Sequence, residues 1–465
     1  MSAEFEEIMS IRARGMPPAS EVQISGTDPV FSTRFQIGSA CANVLAGVGV
    51  AVSDIWEQKT GQRQQASIDV RHAAATLRSS LYLQSKQGGS EFATFRNPSM
   101  SHMISMTQPW PTRDGRWFLP HFNLPHLQAR VLGVLGCEPT PESAAAAVLK
   151  WDALELEAAI DEAGACGAMV RSNDEWLAHP HGQALAAMPL VQITKIADSD
   201  PQPFPEQGPP LAGIRVLDLT RILAGPMAAR TLAEHGADVL MVTAQHLPQV
   251  KEHVLDTSHG KRSCFLDLRN ESDRTQLEQL VDKADVFSQG YRPGVMTQFG
   301  FSPEQLAARR PGIVSLSISC FGPGGPFSHR PGWEQIAQTV TGICNEGSPT
   351  RPTLLPASAC DYTTGFLGAY GVLLALERRA REGGSYHVQV SLCQSGMFIY
   401  RHGKVEFDSP DMDLSAAELD ALRIHSETGH GPIRHLGPVL KLSKSNPGWS
   451  RPTPVLGEHT AQWTT

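Results

Sequence analysis

Between residues 214 and 319 the chain alternates short apolar runs with amphipathic segments, and no other feature restricts its fold as much. IRVLDL at 214 to 219 is a short apolar strand, GPMAARTLAEHG at 225 to 236 an amphipathic helix, and ADVLMV at 237 to 242 a second strand. A connection of that length between strands implies parallel pairing. The pattern continues through SCFLDL, the helix ESDRTQLEQLVDKA, the strand DVFSQ, the helix SPEQLAARR and the strand IVSLSIS. It predicts an α/β fold, with a Rossmann-like, mostly parallel sheet.

The boundary ahead of this region is PQPFPEQGPP at 201 to 210, where five prolines in ten residues forbid helix and leave an extended linker. Between 92 and 200, WPTRDGRWFL reads as a turn between two short strands. The segments PHLQARVLGVLG and AAAAVLKWDALELEAAIDEAG read as helices, so this stretch is expected to form a smaller α+β domain. Residues 1–91 are expected to pack on the large domain at 211–400 as an arm and a helix–strand segment. Residues 401–465, rich in Pro, Gly, Ser and His, are expected to wrap over it. The two parts also echo each other. At an offset of 322, ANVLAGVGVAVSDIWEQKTG aligns with GFLGAYGVLLALERRAREGG, matching Leu45 with Leu367, Gly49 with Gly371 and Gly61 with Gly383. Both copies read as helix, glycine turn, strand. At that offset Ser39 faces Asp361, an ionisable residue in PASACDYTTG that, judged by its neighbours alone, also fits a helix cap.

Composition narrows the function. The net charge of −8 offers no basic footprint for nucleic acid. The longest apolar run, ANVLAGVGVAV at 42 to 52, is shorter than the roughly 18 residues that span a bilayer. The acidic start MSAEFEEIMSIRARG does not read as a secretory signal. Eight cysteines form no CxxC pair, and only His179 and His181 of the seventeen histidines lie close together, so no metal site is expected. These readings point to a reduced, cytoplasmic protein without nucleic-acid or membrane partners.

Four stretches carry a family resemblance: LAGIRVLDLTRILAGPMAARTLAEHGADVLMV at 211 to 242, GKRSCFLDLRN at 260 to 270, YRPGVMTQFGFSPEQLAARRPGIVSLSISCFGPGGPF at 291 to 327, and the region of Asp361. Together they resemble the class III CoA-transferases, the family of formyl-CoA transferase, carnitine CoA-transferase and α-methylacyl-CoA racemase. The rest resembles the family in displaced order. Residues 35 to 200, ending in EWLAHPHGQAL, are similar to the second half of a member, residues 211 to 400 to the first half, and GPIRHLGPVLKLS with TPVLGEH to its returning tail.

The resemblance implies an enzyme that moves CoA between an acyl-CoA donor and a carboxylic acid acceptor. Asp361 would be the nucleophile, attacking the thioester to give a mixed anhydride and then an aspartyl-CoA thioester. A carboxylate suits this because it is ionised at neutral pH and forms an anhydride that is still activated. No permanently bound cofactor is implied, CoA thioester being the substrate, and a homodimer is expected. The residues implied to bind CoA are Ile222 in the first strand–helix turn, Arg269 after FLDL, Tyr291 and Arg292 in YRPG, and Trp333. The racemase branch carries a histidine in a GHD stretch, and here that stretch is Gly332, Trp333, Glu334. Trp333 cannot transfer protons, so transfer is favoured. An acyl-CoA racemase or isomerase that uses His329 instead is the first alternative, and a non-catalytic acyl-CoA-binding relative the second. Ala244 stands where an arginine is expected, leaving Gln245 or His246 to compensate, and Gly290 replaces an asparagine. Gly322, Gly324 and Gly325 are expected to form a turn that lets backbone approach the ligand.

Overall fold

The alternating segment forms the strands and helices its periodicity predicts, their limits shifted by a few residues at most. The computed structural model describes residues 2–86, 89, 91–95, 97–348, 350–407, 409 and 411–464. Seven strands build the main sheet: β1 Gln192–Ala197, β2 Arg215–Asp218, β3 Asp238–Thr243, β4 Lys261–Phe265, β5 Val286–Gln289, β6 Val314–Ser319 and β7 Ser385–Ser391. Their spatial order is β4-β3-β2-β5-β6-β7-β1. All neighbours pair in parallel except β1, which adds antiparallel to β7 and comes from ahead of the Pro-rich stretch. From β2 the chain winds outward through β3 to β4, then returns and winds the other way from β5. The crevice beyond the carboxyl ends of β2 and β5 is therefore a topological switch point, where open α/β sheets bind ligands.

Five helices matter for the site: α1 Ile37–Thr60, α2 Ala224–Glu234, α3 Glu334–Val340, α4 Ala359–Glu382 and α5 Leu392–Arg401. The echo in the sequence corresponds to α1 and α4. Each has 24 residues and ends at a glycine with positive φ, Gly61 at 72° and Gly383 at 68°, and each leads into a strand. They pack on one another in the core. By length and composition α1 is apolar enough to cross a bilayer, which the longest uninterrupted apolar run did not suggest. Within this fold 94% of its most apolar window is buried.

One hydrophobic cluster runs from Phe5 to Leu442 and takes in both long helices and one face of the sheet. A second fills the opposite face, with Leu217, Leu240, Phe287 and Phe301. A third, from Met106 to Met169, belongs to the smaller α+β region around the strands Trp117–Pro120 and Gly167–Met169. Residues 201–210 carry no helix or strand. In the last 65 residues Gly431–Leu436 pairs with both Arg423–Thr428 and Gln84–Ser85, and Lys441–Leu442 joins Ala66–Asp69. The tail is thus stitched to amino-terminal strands.

Candidate active site

At the switch point the strand ends enclose a cavity of about 470 Å³. Residues 219–225 after β2, 290–293 after β5, 318–320 at the end of β6 and Ser328 with 330–333 ahead of α3 form its walls, Leu124, His126 and Leu127 of the smaller region close one side, and Asp361 lies inside.

Asp361 sits in the first turn of α4 and is only 7% exposed. Its position invites the cap reading, but the cap is supplied from elsewhere. The Glu334 carboxylate accepts the backbone N–H groups of Cys360 at 3.0 Å and Asp361 at 2.6 Å, and also the side-chain amide of Gln338 at 2.6 Å. Two of the helix's orphan donors are therefore satisfied by Glu334 of α3. Among the described residues the Asp361 carboxylate has no hydrogen-bond partner in the protein, so it is left to face the cavity. Burial, and then the adjacent Glu334 charge, push its pKa well above the ordinary value. Glu334 is raised as well, chiefly by burial.

The loop after β2 is held from below. Asp218 accepts the backbone N–H of Thr220 at 3.0 Å and also its hydroxyl, and it pairs at 2.7 Å with Lys261, both side chains being fully buried. Lys261 also donates to the Pro226 carbonyl at 2.8 Å. The next loop residues adopt a conformation that β-branched side chains avoid: Ile222 has φ +75°. A strained, β-branched residue in the wall of a cavity is a mark of function when its surroundings fix it so firmly. Gly225 follows because a Cβ there would lie 2.3 Å from the Thr220 side chain. The amino end of α2, whose first residues Ala224 and Gly225 line the cavity and which no side chain caps among the described residues, then points the positive end of the helix dipole at it.

The charged groups facing Asp361 across the cavity are three arginines, with neutral His126 beside them. Arg221, Arg292, Arg330 and His126 face the space, and Asp361 is the only carboxylate among the described lining residues. Arg221 donates to the Pro248 carbonyl, and neither it nor Arg292 has a carboxylate partner among the described residues. Burial lowers the Arg221 pKa, while burial and nearby Arg130, Arg221 and Arg292 lower that of His126. Arg330 is paired with Asp161 at 2.9 Å and lies 3.8 Å over the Phe327 ring. Such a lining favours an anionic ligand.

Of the residues singled out in the sequence, Asp361, Ile222, Tyr291, Arg292 and Trp333 are brought together here. Trp333 stacks on buried His121, ring centres 5.4 Å apart. Arg269 is elsewhere: it lies after β4, 64% exposed, paired with Asp267 at 2.5 Å and donating to His246 at 3.0 Å. His329, the alternative proton carrier, is exposed and 3.5 Å from Asp161, outside the cavity lining. Ala244 is buried, and His246 is engaged by Arg269. Gly325 is explained by His181, whose ring a Cβ would meet at 2.0 Å. That histidine approaches the Phe321 carbonyl and accepts from the Phe327 N–H, so both its nitrogens are spent on the glycine loop. Sequence reasoning missed Arg221 and gave Glu334 no role. The signal for Arg221 was its place beside Ile222 at a strand end; Glu334 had none, because its partner lies 27 residues away.

Residues 211–405 match the model of CoA-transferase family III. Over 420 residues the chain is 31% identical to the acetyl-coenzyme A transferase nodX of Hypoxylon pulicicidum, covering 80% of this chain and 70% of the relative. An acyl-CoA transferase of Gibberella moniliformis is 33% identical over 66% of this chain and 63% of its own. The acetyl-CoA:oxalate CoA-transferase of Acetobacter aceti is 34% identical over 42% of this chain and 53% of its own. Among solved structures, a CAIB/BAIF family protein from Brucella suis is 28% identical, covering 49% of this chain and 65% of that one at a TM-score of 0.38. The chain belongs to CoA-transferase family III.

Proposed function

We propose that the protein transfers coenzyme A from an acyl-CoA to a carboxylic acid, with Asp361 as the covalent carrier. The observation that carries this reading is that Asp361 is a buried, uncapping carboxylate, alone of its kind among the described residues of a cation-lined cavity. A carboxylate oxygen of Asp361 attacks the acyl carbonyl, the C–S bond breaks, and CoA leaves as thiolate from a mixed anhydride. The thiolate then attacks the Asp361 carbonyl, releasing the donor acid as carboxylate and leaving an aspartyl-CoA thioester. An acceptor carboxylate attacks that thioester and frees the thiolate again. Thiolate attack on the acceptor's carbonyl completes the new acyl-CoA and restores the Asp361 carboxylate. Every step moves one negative charge and consumes no proton, which suits a cavity of arginines and a helix amino end rather than an acid–base pair. In this reading Arg221 and Arg292 hold the anionic CoA moiety and Tyr291, Ile222 and Trp333 give it apolar walls, a reading supported by their sharing one cavity with Asp361. The relatives' names indicate donors and acceptors to try: acetyl-CoA, succinyl-CoA, oxalate and malate.

The test is trapping. Enzyme mixed with acetyl-CoA or succinyl-CoA and treated with hydroxylamine should gain a hydroxamate on the peptide carrying Asp361. A label on another carboxylate, or none, would refute the covalent mechanism. Racemase chemistry makes a separate prediction, α-deuterium incorporation into a chiral 2-methylacyl-CoA in D2O. Trp333 at the GHD position speaks against it, and a positive result would direct attention to His126, the one histidine among the described cavity residues, rather than to His329.

A further inference from the structure

The smaller α+β region does more than close one side of the cavity: it grips α3 at both ends. At the carboxyl end the Thr339 carbonyl accepts from the Arg171 N–H at 3.1 Å, and the Thr341 carbonyl accepts from the Asn173 side-chain amide at 2.9 Å. At the amino end the grip is a single side chain, His121. It is fully buried, follows directly on the strand Trp117–Pro120 and lies just ahead of Leu124, which lines the cavity. Its backbone N–H donates to the Cys166 carbonyl at 2.9 Å, so the small sheet fixes it in place. One face of the ring stacks on Trp333, the planes 15° apart, while Nε2 at its edge donates to the Gln335 side-chain oxygen at 2.9 Å. Between those two residues stands Glu334, which accepts the backbone N–H groups of Cys360 and Asp361. The residues that His121 holds therefore bracket the one that orients the start of α4. Packing alone does not account for a histidine here. With the proton on Nε2, Nδ1 is left buried and without a partner among the described residues. Burial lowers the pKa to about 4, so the ring is neutral at pH 7. Phenylalanine would stack on Trp333 and strand no nitrogen; what it lacks is the bond to Gln335.

We propose that His121 is a positioning residue for the transfer reaction: its ring face sets Trp333 as a wall for the acyl-CoA, and its bond to Gln335 sets Glu334 and, through it, Asp361. The proposal rests on the transferase reading above. The two contacts predict separable defects. Trp333 lines the cavity that holds the thioester in that reading, so losing the stack weakens binding in the ground state and the transition state alike. Glu334 is not among the described lining residues and acts only on the backbone of α4. An α3 released from His121 lets the first turn of α4 shift, which moves the Asp361 carboxylate off the line of attack and slows the chemical step without changing affinity.

The experiment follows the rate of hydroxamate formation at Asp361 of the full chain, with hydroxylamine in excess, over a range of acetyl-CoA concentrations. His121→Phe keeps the stack and loses the bond. It should lower the saturating rate about tenfold, the size of one lost buried hydrogen bond, and leave the half-saturating concentration unchanged. His121→Gln loses the ring but places an amide nitrogen where Nε2 stood. It should raise the half-saturating concentration about fivefold, the size of one aromatic pair, and keep the saturating rate. Gln335→Met should reproduce the His121→Phe defect, and the double variant should be no slower than either alone, since both remove the same bond. Unchanged kinetics, equal changes in both parameters for every variant, or additive losses in the double variant would overturn the positioning role while leaving the transferase reading standing. Should His121→Phe fail to fold by near-UV circular dichroism, Gln335→Met decides by itself, an unchanged saturating rate overturning the proposal. Absence of the Asp361 label in the wild type would instead bring down the transferase reading, and this one with it.

Discussion

At the scale of single residues, the site separates two roles that a carboxylate at the start of a helix usually combines. Glu334 caps α4 and Asp361 is left free. Replacing Asp361 with Asn should therefore abolish transfer while preserving the fold. Its effect on stability has a definite sign. The Asp361 pKa is raised in the folded chain, so the folded form keeps a proton above the pH at which the unfolded chain, near 3.8, gives it up. Stability then falls as pH rises through that window, because the folded state must ionise a buried group beside Glu334. Asp361→Asn should raise the Tm at pH 7 to 8, with the gain vanishing as pH falls toward 4; thermal melts at several pH values read this directly. Ile222 poses a different balance. Changing it to Gly relieves backbone strain of about 1–2 kcal/mol but gives up apolar contact of similar size. The Tm should move little while the KM for acyl-CoA rises, and a loss of many degrees would show that the residue is structural.

At the scale of elements, the close approach of α4 to α2 positions Asp361 against the strained loop. A Cβ on Gly365, one turn beyond Asp361, would lie 2.7 Å from the Ala224 carbonyl oxygen and from the Met227 side chain. Alanine is worth about 1 kcal/mol more than glycine in a helix interior, but overpacking a fixed contact costs about 1–3 kcal/mol. Gly365→Ala should therefore be net destabilising by denaturant melt and should lower kcat, since relief requires α4 to move away from the loop. Lys261 acts on the same loop from beneath. Removing it as Lys261→Met strands the fully buried Asp218 carboxylate, at a cost of about 3–5 kcal/mol. A variant that melts like the wild type would mean that this pair does not hold the loop.

At the scale of the whole molecule, the amino-terminal region completes the core of the sheet domain. Tyr370 of α4 donates to the Ile8 carbonyl at 2.8 Å, Tyr362 next to Asp361 donates to Asp256 at 2.9 Å, and Ser79 donates to the same carboxylate at 2.5 Å. Arg12 forms a buried pair with Asp54 of α1 at 2.6 Å. A fragment of residues 205–465 would expose the faces of α4 that α1 and Phe5, Ile8 and Met9 now cover. Expressed alone it should be insoluble or molten, as judged by sedimentation and near-UV circular dichroism, whereas a soluble, active fragment would mean that the covering layer is dispensable.

The parts of this protein that were legible in its sequence are those encoded by near neighbours. Alternating periodicity specified β2 to β6 and glycines with positive φ ended α1 and α4, whereas Asp361 and Ile222 were singled out only by the family resemblance of their flanks. Tertiary structure alone decided the rest. Arg269 carries the same charge as Arg221, yet one lies on the surface against Asp267 and the other in the cavity wall, a difference set by where β4 and β2 fall in the sheet order. Glu334 reads as an ordinary acid until α3 lies against the start of α4. The cavity itself draws residues from Leu124 to Leu392. Periodicity and turn chemistry act over a few residues, whereas a binding site is made by the relative placement of elements that packing of the shared core, spread from Phe5 to Leu442, brings together.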